Sequence, residues 1–208
     1  MDMTLFPTKG NLIIAKNALK LSRQGYDLLD KKRNILIREM MLLIDRAQDI
    51  QSKIDNAYKE AYAALQNANI SMGISRVMEI AECIDVDDTL DIKYRSVMGV
   101  EIPEIERLEK HSGAGYDLFN TSSQLDVAYV QFTLVKELTV ELAAVENSVY
   151  RLAENIKKTQ KRANSLKNVN IPKYEEMVSS ITNYLEEKER EEFTRLKVIK
   201  HQNEQKES

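Results

Sequence analysis

The sequence is poor in the residues that form disulfides and tight turns. Its 208 residues include one cysteine, three prolines, six glycines and no tryptophan. The single cysteine, Cys83, cannot form a disulfide within the chain, which fits a reducing cytoplasmic setting. Few prolines and glycines, together with 30% charged residues, are typical of a protein built from long helices.

Long apolar runs and a strong charge of one sign are also missing. No stretch approaches the roughly 20 apolar residues that a membrane span needs, and the first residues do not form the apolar run of a signal peptide. We therefore expect membrane association only through partners. The net charge of -3 argues against a protein whose main task is to neutralise nucleic-acid phosphates, so we expect no nucleic acid as a partner.

A long heptad pattern is present in the second half of the chain. Between residues 124 and 166 there is no glycine or proline, and apolar residues recur every three or four positions. The a and d positions include Leu142, Val149 and Leu152, and all but two of them are apolar. This pattern predicts a coiled-coil helix about 65 Å long, which needs a partner helix of similar length.

A matching heptad pattern lies in the first half of the chain and predicts that partner. Its a and d positions run from residue 12 to residue 68 and include Leu36, Leu43 and Ile50. The hydroxyl of Thr8 is placed to cap the start of the helix. The connection through residues 69–120 makes the two helices antiparallel, and the predicted register places Leu43 opposite Val149.

The segment between the two seams has a different pattern. Apolar residues at helical spacing predict a short helix over residues 74–84, and alternation over residues 89–97 predicts a strand. Met98 and Gly99 can turn the chain into a second strand, which we expect Pro103 to end. The candidate apolar positions of this β-hairpin are Leu90, Ile92, Tyr94, Val100 and Ile102. A second turn is expected at residues 112–115.

These patterns predict a mainly α protein, a long antiparallel two-helix coiled coil with a small head that contains a short helix and a β-hairpin. The expected segments are an N-terminal coiled-coil helix at 1–70, the head at 71–120 and a C-terminal coiled-coil helix at 121–208. Pro172 disfavours helical geometry at the residue before it, so a kink is expected over residues 168–172. The register leaves residues 186–200, which are dense in charge of both signs, without a partner helix.

Motifs for chemistry are weak. There is no phosphate-binding loop, and Gly113-Ala114-Gly115 lacks the third glycine of a dinucleotide cradle. The acidic residues from Asp85 to Asp91 lack the glycine and the final glutamate of a calcium loop. His111 and His201 are far apart in sequence. We therefore expect no catalytic residues, no cofactor and no metal.

One charged feature remains as a candidate binding surface. Between residues 155 and 174 there are six basic residues and no acidic residue. Four of them, which we call the basic collar, are Lys157, Lys158, Lys161 and Arg162. A solvated helix face would look the same, but the alternative is a surface that meets an acidic protein partner.

Four segments, taken in order, resemble the D subunit of the V-type and A-type ATPases. They are Pro7-Thr8-Lys9, residues 25–33 (GYDLLDKKR), residues 162–172 (RANSLKNVNIP) and residues 189–197 (EREEFTRLK). The similarity spans both long helices and nearly the whole chain, and it is specific as an ordered set.

The resemblance implies a central rotor shaft without an active site, which transmits torque between a catalytic ring of A and B subunits and the membrane ion-translocating rotor. It implies a cytoplasmic location, peripheral to the membrane. The implied partners are the A and B subunits, a small F subunit along the shaft and a C (d-type) subunit that links to the rotor ring and receives the head. The implied contacts with the catalytic ring are the basic collar together with Lys9, Arg190, Arg195 and Lys197.

Two other functions share some of these sequence features. A coiled-coil tether or scaffold without ATPase association would have the same two seams, but it would not need the basic collar. A coiled-coil arm that binds nucleic acid is disfavoured by the acidic balance of the chain.

Overall fold

The computed structural model describes residues 6–84, 90–107, 116 and 121–206. The predicted mainly helical class is confirmed, with two long helical stretches, one short helix and one β-hairpin. In chain order the elements are α1 (Lys9–Met72), α2 (Ile74–Glu82), β1 (Leu90–Val97), β2 (Val100–Arg107), α3 (Ser123–Ser165), a π-helical turn (Leu166–Asn170) and α4 (Ile171–Lys206). None of the helices, as far as the described residues reach, is both long and apolar enough to cross a membrane.

Helix α1 begins where the sequence predicts. The backbone N–H of Asn11 donates to the Thr8 hydroxyl oxygen at 3.2 Å, which satisfies one of the free donors at the helix start. The helix ends at Met72, two residues beyond the boundary expected at residue 70. Gly73 follows with a φ of 85°, a conformation that favours glycine, and α2 starts at the next residue.

The kink expected near Pro172 takes the form of a π-helical turn. The turn covers Leu166–Asn170, and the backbone N–H of Ile171 donates to the carbonyl of Leu166, five residues earlier. Proline at position 172 has no N–H for the carbonyl four residues back, and its ring would crowd that carbonyl in a regular α-helix. A wider turn immediately before the proline relieves both problems, so the helix continues.

The β-hairpin has the predicted turn. Met98 and Gly99 have φ values of 51° and 76°, and Val97 pairs with Val100 across the turn. Two left-handed residues in succession match the twist of a two-residue hairpin. The α2 helix is also confirmed over most of its predicted range.

The expectation that Pro103 ends the second strand is wrong, because β2 continues to Arg107. In a two-residue hairpin the pair beside the turn is hydrogen-bonded and the pairs then alternate. Pro103 lies opposite Tyr94, which makes this a non-hydrogen-bonded pair. The N–H that proline lacks would point away from β1, so the ladder loses nothing.

Residues 34–156 form one compact unit that contains the hairpin as well as parts of both long helices. Its cores lie between α1 and α3: Ile50 and Ile54 pack with Val145, and Ala57 and Ala61 pack with Val135. The two helices run antiparallel, since the hydroxyls of Ser71 and Ser122 meet at 3.1 Å while Leu36 packs with Leu152.

The second compact unit consists of the chain up to Arg33 and the chain from Lys157 onward. Here too the helices run antiparallel. Arg33 donates to the Gln160 side-chain oxygen at 2.7 Å, Arg23 meets Glu175 at 2.6 Å and Lys9 meets Glu189 at 2.9 Å. Arg33 thus forms a hydrogen bond across the coil, and it also pairs with Asp30.

Candidate partner-binding surfaces

The seam residues named from the heptads do not all have the same environment. Leu36, Ile50 and Leu152 are buried, and Leu43 is a half-buried member of two neighbouring clusters. Leu142 and Val149 are also half-buried. These positions therefore hold the two helices together; Leu36, Ile50 and Leu152 are covered, whereas Leu142 and Val149 remain partly accessible.

Ser148 is a buried residue that the heptad pattern missed. It lies next to the seam position Val149 and is 2% exposed. Its hydroxyl donates to the carbonyl of Ala144 at 2.8 Å and lies 3.4 Å from the carbonyl of Pro103. The hairpin covers this side of α3, and no signal in the local sequence of α3 could have indicated it.

The five apolar hairpin residues divide into two groups. Val100 and Ile102 are buried and pack with Leu36 and Leu152. Leu90, Ile92 and Tyr94 are about half exposed. The division follows from the pairing, because cross-strand partners point to the same face of a two-stranded ribbon and successive residues alternate.

The last part of α4 is exposed on all sides. Every residue from 186 to 203 is exposed, and these include Phe193 and Leu196, at 71% and 66%. Arg190 pairs with Glu186 on the same helix at 3.6 Å, and Arg195 and Lys197 are exposed. We call residues 186–203 the tip helix.

Lys9 lies against the tip helix. Its side chain is bonded to Glu189, and this hydrogen bond, with the negative charge of the same carboxylate, raises the pKa of Lys9 above its ordinary value. Solvent screens an exposed ion pair of this kind, so it contributes little to stability. Lys9 can therefore exchange Glu189 for another carboxylate at little cost.

The basic collar lies on an exposed face of α3. Lys157, Lys158, Lys161 and Arg162 are all exposed, while Thr159 and Ala163 on the opposite side of the helix are buried. Gln160 lies beside the collar and accepts from Arg33. The structure thus places the four collar residues together on one surface.

An apolar surface that the seam analysis did not single out lies at the end of α1 and the start of α2. Ile70, Ile74 and Met78 are exposed by 76%, 71% and 61%. The helical spacing of Ile74 and Met78 is visible in the sequence, but only the structure shows that Val77 is the buried residue of this helix. We call these three residues the junction patch.

Within residues 6–84, 90–107, 116 and 121–206 no group of three or more histidine, cysteine, aspartate or glutamate residues is placed to hold a metal ion. Asp85 to Asp88, His111 and the expected turn at 112–115 lie outside the described residues. Cys83 is exposed, and its thiol lies 3.3 Å from the carbonyl of Glu79.

The comparisons with known proteins agree on one family. The family of ATP synthase D subunits matches residues 11–201. The chain is 44% identical over 198 residues to the D subunit of the V-type ATP synthase of Thermotoga neapolitana, which covers 95% of this chain and 98% of the relative. It is 38% identical over 197 residues to the D subunit of the A-type ATP synthase of Pyrococcus furiosus and 36% identical to that of Pyrococcus abyssi, in both cases over 93% of this chain and 92% of the relative.

Proposed function

The chain belongs to the family of ATP synthase D subunits, and we propose that within the V/A-type ATPase complex it is the central rotor shaft, which carries torque between the catalytic A and B subunits and the membrane rotor. In this proposal it has no catalytic site and binds no cofactor or metal, and it lies in the cytoplasm, peripheral to the membrane. The alternative of a tether without ATPase association loses its basis, because the relatives are named as subunits of an ATP synthase.

The tip helix is the observation that carries this proposal. Phe193 and Leu196 are exposed on one part of its surface, and charged residues occupy the rest. These two apolar side chains therefore do not pack against any described part of the chain. Burying each of these side chains is worth about 1.5 to 3 kcal/mol, which only a partner can supply. The central cavity of an A/B ring, which surrounds a shaft on all sides, is the partner that fits a helix exposed on all sides.

Positive charge supports contact with the same ring. Lys9, Arg190, Arg195 and Lys197 lie at or beside the tip helix, and the basic collar lies on α3. In the proposal both groups meet acidic loops of the A and B subunits. Because exposed ion pairs are weak and exchangeable, they suit a surface that changes its neighbours as it turns.

The small F subunit is assigned to the side of the unit formed by residues 34–156. A shallow groove of about 520 Å³ lies between α1 and α3 and is lined mainly by apolar side chains, among them Ile44, Ala47, Leu142, Val149 and Tyr150. An apolar groove along a helix pair is a suitable site for a helix of a small clasping subunit.

The C (d-type) subunit is assigned to the junction patch. The resemblance places the whole 71–120 segment, hairpin included, toward the membrane side. The hairpin packs against Leu36 and Leu152, whereas Ile70, Ile74 and Met78 are exposed and apolar. The junction patch is therefore the surface that we propose for the socket of the C subunit.

Removal of the tip helix tests the proposal. We would truncate the chain after Leu185 and compare it with a truncation after Lys200, which keeps nearly all of the tip. In the assembled enzyme the shorter chain should lose coupling between ATP hydrolysis and ion transport, while the longer chain should keep it. Normal coupling with the shorter chain would contradict the assignment of the tip to the ring.

The role of the basic collar is tested by replacing its four residues together. Replacing one collar residue by alanine should have little effect, because each exposed pair is worth about 0 to 1 kcal/mol. Replacing all four should weaken coupling, and replacing Lys16, Lys20, Lys53 and Lys59 in the same way controls for the change in net charge. Equal effects of the two sets would remove the collar from the ring contact.

A further inference from the structure

The buried face of the helical stretch that runs from α3 into α4 shifts by one residue across the π-helical turn. Before the turn, Thr159 and Ala163 are buried. A heptad pattern continued from Thr159 would reach Ser180, which is exposed, whereas its neighbour Ile181 is only 4% exposed. The same shift recurs at two other pairs of neighbours, where Tyr174 and Leu185 are half-buried while Lys173 and Tyr184 are exposed. One residue more than the heptads require therefore lies between the two parts of the buried face.

The π-helical turn accommodates this extra residue. The backbone N–H of Ile171 donates to the carbonyl of Leu166, five residues earlier, where a regular α-helix would use the carbonyl four residues earlier. A π-helical turn thus contains one residue more than an α-helical turn, and this difference equals the shift of the buried face. The residues before and after the turn can therefore share one continuous buried face without a break in the helix.

The turn itself is weakly held. None of its five residues, all of which the structure describes, is buried, and Val169 is 58% exposed. Pro172 follows the turn directly and has no N–H to donate to a carbonyl of the preceding helix. Turns of this kind and prolines are two of the few places at which helices bend sharply.

The helix pair is held more firmly on each side of the turn. On one side Arg33 of α1 donates to Gln160 at 2.7 Å, and Ala163 is fully buried. On the other side Arg23 of α1 meets Glu175 at 2.6 Å, and Ile181 is buried further along. The turn is therefore a weak level between two levels at which the helices are bonded to each other.

Helix α1 has a weak point at the same level. Gly25 lies in the interior of α1, and a Cβ atom added there would lie 3.5 Å from Cδ1 of Leu166, the first residue of the turn. Glycine is among the residues least favourable to a helix, because its backbone has the most freedom to lose. The weak points of the two helices thus lie opposite each other.

We propose that Gly25 and the π-helical turn form one bending joint in the unit made by the chain up to Arg33 and from Lys157 onward. At this joint α4 and residues 9–24 tilt together relative to residues 26–33 and 157–165. The extra residue lets the turn open while the buried residues on both sides keep their positions on the buried face. This inference concerns the chain itself and does not depend on the shaft role.

Hydrogen exchange resolved to single amides tests the joint on the full chain. The amides of residues 167–171 should exchange at least about tenfold faster than those of residues 160–163 and 178–181. Equal protection across the three segments would contradict a joint at the turn.

Alanine at Gly25 tests whether the two weak points act together. If they form one joint, Gly25→Ala in α1 should slow exchange in residues 167–171 of the other helix. Gly10→Ala is the matched control, since Gly10 is also in α1 but has no atom within 4 Å of an added Cβ, and it should leave this exchange unchanged. Unchanged exchange in the Gly25→Ala chain, or equal slowing in both variants, would show that the two weak points are independent.

Changes of length test the extra residue. In a Pro172→Ala background, deletion of Asn168 leaves an ordinary α-helical turn with the same buried face. The urea midpoint should then stay the same or rise, and the fast exchange should disappear. Insertion of one alanine after Asn168 in the same background shifts the buried face again, so the midpoint should fall.

Two results with these length variants would overturn the proposal. Equal changes of the midpoint in the deletion and insertion variants would mean that the turn does not hold the extra residue. A deletion variant that folds but keeps fast exchange over the remaining residues of the turn would mean that the π-helical geometry is not the source of the weakness.

Discussion

Gly25 of α1 lies directly against Leu166, the first residue of the π-helical turn: a Cβ atom added at Gly25 would lie 3.5 Å from the Leu166 Cδ1 atom. Beside this contact, the ammonium of Lys167 lies 5.8 Å from the centre of the Tyr26 ring. The π-helical turn is therefore packed against one specific part of α1.

A methyl group fits at Gly25, because 3.5 Å is an ordinary van der Waals distance. Glycine inside a helix costs about 1 kcal/mol relative to alanine, so Gly25→Ala should raise the free energy of unfolding by up to about 1 kcal/mol. Gly25→Leu should lower it, since the longer side chain must displace Leu166. Urea unfolding followed by circular dichroism measures both, and a destabilising alanine would show that the two helices are closer than described.

The buried seam can be tested with one type of substitution at two depths on α1. Leu36 is 0% exposed and Leu21 is 70% exposed. Leu36→Ala should lower the free energy of unfolding by about 2 to 5 kcal/mol, while Leu21→Ala should change it by less than about 0.5 kcal/mol in the isolated chain. Similar losses in the two variants would mean that the burial pattern of α1 is wrong.

The heptad seams were predictable because they depend on local periodicity. All eight α1 residues that the structure buries, from Ala15 to Ala68, are positions of the predicted seam. The turn at Met98 and Gly99 was predictable for the same reason, since two residues decide it. The start of α1 at Thr8 depends on one hydroxyl and was also predicted.

Features that depend on packing between distant segments were not predictable. Burial of Ser148 depends on the hairpin lying on α3, which no local pattern encodes. The extension of β2 through Pro103 follows instead from the pairing register, which puts Pro103 in a non-hydrogen-bonded pair. At Pro172 the sequence indicated a disturbed helix. It could not indicate a π-helical turn, because the form of the disturbance depends on how the backbone before the proline avoids the clash between its ring and the carbonyl. The binding residues named for the ring are exposed, but exposure alone does not identify a partner.

The ends of α1 and α3 can be joined by an engineered disulfide. The hydroxyl oxygens of Ser71 and Ser122 are 3.1 Å apart, which brings the two side chains close enough for a bridge. In a Cys83→Ser background, Ser71→Cys with Ser122→Cys should form an intrachain disulfide and stabilise the fold by about 2 to 4 kcal/mol. Non-reducing electrophoresis checks the bridge, and bridges found only between chains would contradict the antiparallel pairing in this unit.

Because of Tyr116, the stability of the unit formed by residues 34–156 should fall at alkaline pH. Burial, followed by the hydrogen bond that its hydroxyl donates to Asp126, raises the Tyr116 pKa above its ordinary value of 10.0. A raised pKa means that the folded chain holds the proton more tightly than the unfolded chain. The stabilisation is therefore complete below about pH 10 and is lost as the pH rises further.

Replacing Tyr116 by phenylalanine removes this dependence. Tyr116→Phe should cost about 1 kcal/mol or more at neutral pH, because a hydrogen bond to a carboxylate is lost. The difference in unfolding free energy between the two chains should shrink above about pH 10. A difference that stays constant up to about pH 11 would show that the hydroxyl proton is not held by Asp126.

Rotation of this chain inside the A/B ring is the most direct test of the shaft role. Cys83 is the only cysteine in the sequence and is exposed, so a gold nanorod can be attached there without any other substitution. With the ring fixed to a surface, the rod should turn in one direction when ATP is supplied and stop when ATP is withdrawn. A ring that hydrolyses ATP while a rod attached to Cys83 only fluctuates about a fixed angle would contradict the proposal.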